Sequence, residues 1–116
     1  MQVRTHTTRA SDVVREAYSA YENDDRGLIE GFLTDDFTFS SPQDPYLDRE
    51  QYFERCWPNH ELIKSIELLT MLEHDGEVFV TYVLEKTDGS RSRNTEYFVV
   101  EGDKIKSTDV YFGPSL

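Results

Sequence analysis

The stretch Glu77 to Asp103, EVFVTYVLEKTDGSRSRNTEYFVVEGD, decides the fold class. It holds two runs rich in β-branched and aromatic residues, Glu77 to Lys86 and Ser92 to Glu101, separated by Asp88-Gly89 and closed by Gly102-Asp103. Aspartate and glycine together supply the positive-φ positions that a tight hairpin needs, so the runs are expected to pair as antiparallel strands. The same chemistry recurs on both sides. Asp75-Gly76 closes an earlier run from Ile63 to Glu73, and a last run, Lys104 to Phe112, follows the final turn. Four consecutive strands joined by short turns make an antiparallel meander.

Upstream the period changes from two to about three and a half. From Ser11, read as an N-cap, apolar residues recur at Val13, Val14, Ala17, Tyr18 and Tyr21, one face of a helix. Asn23-Asp24-Asp25 interrupts it, and Leu28, Ile29, Phe32 and Leu33 predict a shorter second helix stopped by Thr34-Asp35-Asp36. Phe37-Thr38-Phe39-Ser40 alternates as a half-buried strand does, and the loop Ser41-Pro42-Gln43-Asp44-Pro45 ends it. Asp48 with Gln51 resembles a capping box, with Leu47 and Tyr52 placed as a staple, so a third helix is expected there, stopped by Pro58-Asn59. Helices gathered at one end and strands at the other predict α+β layers rather than alternating βαβ units.

Bulk properties narrow the function classes. A chain of 116 residues is sized for one domain, expected from residue 11 to 116 behind a loose arm at residues 1–10. With 23 Asp+Glu against 12 Lys+Arg, the net charge of −11 repels phosphate backbones and anionic membranes, so neither nucleic acid nor a membrane is an expected partner. The single cysteine, Cys56, has no partner for an internal bridge and reads as a buried thiol. No stretch resembles a signal or membrane-spanning segment, and a cytoplasmic location is expected. His6, His60 and His74 show no ligand spacing with one another or with Cys56, and Gly-rich phosphate loops are absent. Neither metal nor cofactor is expected.

Four strings carry a family resemblance: Leu33-Thr34-Asp35-Asp36-Phe37-Thr38-Phe39, Cys56-Trp57-Pro58-Asn59, and the closing pair Arg93-Asn94-Thr95-Glu96-Tyr97-Phe98 and Asp109-Val110-Tyr111-Phe112-Gly113. With the element order, they make the chain similar to NTF2-like proteins of the SnoaL-like kind from about Ser11 onward. The resemblance implies an NTF2-like cone: three N-terminal helices packed on a curved, mostly antiparallel sheet around a cavity. It also implies a homodimer through the outer sheet face, where Tyr97, Val99 and Tyr111 are candidates. The superfamily spans isomerases, cyclases, hydrolases and non-catalytic scaffolds, so the fold does not fix the activity.

Candidate site residues follow from position and from chemistry. Glu96 matches the strand position where ketosteroid isomerase-like relatives hold a carboxylic acid in the cavity. An acid in an apolar site keeps its proton and can donate a hydrogen bond to a developing oxyanion, as the cavity acid of ketosteroid isomerase does. The alternative is a surface carboxylate paired with Arg91 or Arg93. Strand alternation puts Asn94, Glu96 and Phe98 on one face and Thr95, Tyr97 and Val99 on the other, and pattern alone buries the second set. Where those relatives carry an aspartate before a proline, this chain has Ser41. Asp44, three residues on, is the substitute candidate for a base, and equally a turn former beside Pro45. Tyr18, with Tyr21 as its neighbour on the same helix face, is the candidate phenol, or else core. Asn94, Phe53, Trp57, Tyr82, Phe98, Val110 and Phe112 are the candidate lining. Two functions stay open: a cofactor-free pocket protein that binds or converts a small, mostly apolar molecule by isomerase, cyclase or hydrolase chemistry, and a non-catalytic dimerisation or interaction module.

Overall fold

An apolar stripe of Val13, Val14, Ala17, Tyr18 and Ala20 drives the first segment into helix α1 (Ala10–Glu22), which buries that face. The computed structural model describes residues 9–116, so most of the expected arm, with His6, lies outside the described residues. The helix starts one residue before Ser11, and no side chain caps it from Arg9. The expected Ser11 cap is therefore corrected. Its N–H instead donates to Glu73 Oε1 at 2.9 Å, a strand carboxylate that satisfies an orphan donor and faces the positive end of the helix.

Helix α2 (Arg26–Phe32) begins at Asp25, whose side chain accepts from the Leu28 N–H at 3.0 Å. The helix ends at Phe32, just before the expected acidic stop at residues 34–36, but those residues form no turn. Leu33 is already extended, and strand β1 (Leu33–Ser40) carries those residues alongside the last strand, with a register shift between Leu33 and Thr38. A two-residue strand, β2 (Leu47–Asp48), pairs with β1 and leads into helix α3 (Arg49–Arg55). There the capping box forms in both directions, Asp48 Oδ1 accepting from the Gln51 N–H at 2.8 Å and Gln51 Oε1 from the Asp48 N–H at 3.0 Å. The α-helix ends at Arg55, ahead of the expected stop at Pro58-Asn59, but Pro58 does not end the winding of the chain. It occupies the first turn of a 3₁₀ segment, Trp57–Leu62, where a missing N–H costs nothing.

Strands β3 (Ile63–His74), β4 (Glu77–Lys86), β5 (Arg91–Glu101) and β6 (Lys104–Tyr111) lie within one residue of the expected runs. The order is β2-β1-β6-β5-β4-β3, antiparallel throughout except for the β1–β6 pair. Asp75 (φ 49°) and Gly76 (φ 82°) both take the left-handed conformation of a primed hairpin turn. A side chain on Gly76 would also press on the Val100 carbonyl at 2.9 Å.

The most buried side chains, among them Phe37, Ile29, Ile105, Val13 and Val78, come from helices and strands alike, so the helices cover one face of the sheet. Beyond β6 the tail continues along β5. The Arg93 N–H donates to the Pro114 carbonyl, and the Leu116 N–H donates to that of Arg91. Gly113 is required there, because a Cβ would collide with the Arg93 carbonyl. Among the described residues no helix is long and apolar enough to cross a membrane.

Candidate functional site

Neighbouring strands settle which face of β5 turns inward. Val78, Val80 and Tyr82 of β4 are buried, and their register partners are Phe98, Glu96 and Asn94. Residues opposite one another share a face, so these three point inward with them. The reverse expectation from alternation, with Thr95, Tyr97 and Val99 buried, is corrected. Glu96 sits between Val80 on one side and Val110 on the other, while Arg91 and Arg93 are exposed.

Glu96 lines a cavity of about 180 Å³ between the helices and the curved sheet, together with Tyr18 of α1, Phe37 of β1, Tyr52 of α3, Tyr82 of β4 and Phe98. The Tyr18 hydroxyl donates to Glu96 Oε1 at 3.1 Å. Burial pushes the Glu96 carboxyl up to about 7, and hydrogen bonding from Tyr82 and Tyr18 draws it only part of the way back. The carboxyl keeps some accessible surface because it borders the cavity, yet desolvation governs its charge. Burial and the facing Glu96 push the Tyr18, Tyr52 and Tyr82 phenols up as well, and they stay protonated. Tyr52 also shares a hydrogen bond with the Tyr21 hydroxyl. The arrangement is a carboxyl and phenols at one wall of a mostly apolar chamber, able to donate to a ligand oxygen or to accept a proton.

Because the Tyr18 hydroxyl favours the ionised form of Glu96, Tyr18→Phe is expected to move the carboxyl midpoint above about 7. A carbon-NMR titration of the glutamate side chains checks this, and a midpoint that falls would mean that the phenol is not its donor.

Asp44 also lines the cavity, from the β1–β2 loop. Ser41 folds that loop: its Oγ accepts from the Asp44 N–H at 3.1 Å, and its own N–H donates to the Asp44 carbonyl. The Asp44 carboxylate meets Arg55 at 3.5 Å, so the residue forms a turn and faces the cavity at once. Tyr82, Phe98, Val110 and Phe112 line the chamber too.

Three candidates lie elsewhere. Phe53 packs against Tyr52 and Trp57 beneath the guanidinium groups of Arg26 and Arg49, at 4.6 and 5.4 Å. Trp57 stacks on His60 and packs on Tyr21, outside the lining. Asn94 is buried with its Oδ1 accepting from the Gly113 N–H at 3.2 Å, which ties down the tail. All three face the interior, but core and tail take them up before the cavity does. Tyr52, Phe37 and Phe39 are lining residues that sequence reasoning assigned elsewhere; for Tyr52 its place in the staple was the only signal.

Burial and Asp44 push the Cys56 thiol up to about 12, which keeps it protonated. The His60 ring lies between the Trp57 carbonyl and Asp24, each at 2.6 Å. Among the described residues, no three His, Cys, Asp or Glu side chains converge as metal ligands would.

A curved sheet closed over three helices with a chamber between them defines the class: this chain has the NTF2-like fold. Solved structures bear it out. An NTF2-like protein of unknown function from Cytophaga hutchinsonii is 24% identical, with 97% of this chain and 96% of that one covered at a TM-score of 0.76. IdmH of Streptomyces antibioticus, described as a candidate polyketide cyclase, is 15% identical with 90% and 92% covered and a TM-score of 0.75. A protein of ketosteroid isomerase-like fold from Catenulispora acidiphila, solved in complex with trimethylamine, is 14% identical with 88% and 85% covered and a TM-score of 0.73. No family model and no curated protein matches the sequence.

Proposed function

We propose that this chain is a cofactor-free pocket protein that binds a small, mostly apolar molecule and transfers a proton within it, as isomerases, cyclases and hydrolases do. One observation carries the reading: a buried carboxyl, Glu96, with its midpoint raised to about 7 at the wall of a mostly apolar cavity and hydrogen-bonded there by the Tyr18 hydroxyl. A group with its midpoint near the working pH both gives and takes protons efficiently. Asp44 is the second carboxylate on the wall and the candidate partner base. Structures of the same fold include a candidate cyclase and a complex with a small amine, which supports a ligand chamber in this one. The test is a thermal-shift screen of the native chain with small aromatic ketones, phenols and amines. A hit should raise the melting temperature in proportion to its affinity, and the shift should shrink in a variant whose cavity wall is altered at Phe98. A wide screen with no shift would remove the reading.

A second reading concerns the other face of the sheet, where Leu72, Phe79, Tyr97 and Asp109 lie in one cross-strand row. Leu72 is 65% exposed, Phe79 48% and nearby Tyr111 57%, an apolar band of the kind that interfaces cover. Under this reading the band joins two copies of the chain into a homodimer, and Phe79→Glu is expected to give monomers. Sedimentation at several concentrations measures this, and a native chain that is monomeric throughout would exclude it.

A further inference from the structure

We infer that the ligand of the cavity is a small methylated ammonium ion, held among the aromatic rings with Glu96 as its counter-ion. The inference rests on the pocket reading above and names the class of molecule. Its ground is an imbalance of charge. Two carboxylates, Glu96 and Asp44, line the chamber, and among the described residues no Lys, Arg or His does. Arg55, the one cation paired with Asp44, is largely exposed and stands outside the lining. Inside, Glu96 has valines beside it and phenols before it, so its ionised form has hydrogen bonds but no opposite charge. A buried carboxylate without a counter-charge is costly, and a cationic ligand supplies what the wall lacks.

The rest of the wall narrows the cation. Ring residues such as Tyr18, Tyr82, Phe37 and Phe98 surround the space, and ring faces attract cations electrostatically. Methyl groups spread the charge and shed water readily, which suits an ion held against ring faces. Size agrees: an engineered cavity of about 150 Å³ takes one benzene, so a chamber of about 180 Å³ suits a compact ion and excludes a fused four-ring skeleton. The net charge of −11 also concentrates cations around the molecule.

Proton linkage makes the inference measurable. The titratable groups facing the carboxyl are Tyr18 of α1, Tyr52 of α3 and Tyr82 of β4, with Cys56 and Asp44 elsewhere on the wall. The phenols and the thiol are all pushed up and remain neutral, so among the groups gathered at Glu96 it is the Glu96 carboxyl itself that the ion's charge acts on near neutrality. Binding below its midpoint must then expel its proton.

The experiment is calorimetric titration of the full chain with tetramethylammonium and with tert-butanol, an uncharged molecule of nearly the same size, at constant ionic strength. At about pH 8 the cation is expected to bind at least about tenfold more tightly, and by about pH 5 the preference should fall severalfold as Glu96 is protonated, the remainder being what Asp44 and the rings supply. Glu96→Gln should lower the preference at about pH 8 severalfold and make it insensitive to pH; if that variant fails to fold, the pH series on the native chain decides. Equal binding of the two probes at about pH 8, or a preference indifferent to pH, overturns the inference. If neither probe binds while an aromatic ketone does, the inference falls and the pocket reading stands. If nothing binds, both fall.

Discussion

Glu96→Gln is expected to stabilise the folded chain above neutral pH while abolishing any turnover that uses its proton. The folded state holds that proton up to about 7, whereas an unperturbed glutamate releases it near 4.5, so the folded chain binds more protons between those values. The favourable contribution is complete below about 4.5 and is lost as pH rises through about 7. Above that window the native protein carries a buried charge, at a cost on the order of 3 kcal/mol. Glutamine keeps the shape and a hydrogen-bonding end without the charge. The variant should therefore melt at a higher temperature than the native chain at about pH 8, and its stability should lack the decline between about 4.5 and 7. A catalysed proton transfer should meanwhile drop about a hundred- to ten-thousandfold. Urea denaturation across this pH range measures the first effect. A variant that is less stable than the parent at about pH 8 would show that Glu96 is instead a paired, stabilising carboxylate.

Trp57→Ala is expected to cost about 3–5 kcal/mol, a large share of the roughly 5–15 kcal/mol that holds a typical domain together. Trp57 is only 4% exposed and touches rings from three directions: Tyr21 of α1 at 4.9 Å, Phe53 of α3 at 6.4 Å and His60, stacked at 4.5 Å. Truncation removes the packing between the first and third helices and strips the His60 ring of its platform. Calorimetry should find the melting temperature lower by at least about 10 °C. If the variant melts within a few degrees of the parent but loses ligand, Trp57 is a binding residue after all and its core role is wrong.

Turns and caps were legible in the sequence because their chemistry is local. Asp75-Gly76 and Gly102 adopt positive φ for reasons contained in two residues, and the Asp48–Gln51 box closes within a single turn. Hence the four long strands and the start of α3 fell within a residue of expectation. Local reasoning failed where a distant partner overrode it. Ser11 lost its capping role because Glu73 reached the helix from across the sheet. Helix α2 does stop just before Thr34-Asp35-Asp36, but no turn follows, because residues on either side of that string pair with β6 and carry it within a strand. The candidate site was legible in identity and not in arrangement. Glu96, Tyr18, Asp44, Tyr82, Phe98, Val110 and Phe112 share one cavity, while Asn94, Phe53 and Trp57 were placed at the interior without anything in the sequence to say which space each would fill.

Glu96 shows the boundary most clearly. By itself the sequence determined the α+β order, the acidic charge and the existence of a strand on which Asn94, Glu96 and Phe98 share a face. Alternation along that strand, weighed residue by residue, favours burying Thr95, Tyr97 and Val99, because the hydrophobic effect acts on each side chain's own surface. Tertiary structure reversed this. The register of β5 is locked by Val78, Val80 and Tyr82 on β4 and by Thr108 and Val110 on β6, so the face of β5 follows its neighbours and carries a carboxyl into the interior with them. Only that enforced burial, with phenols from α1, α3 and β4 gathered around it, turns an ordinary strand glutamate into an acid whose proton is held to about 7.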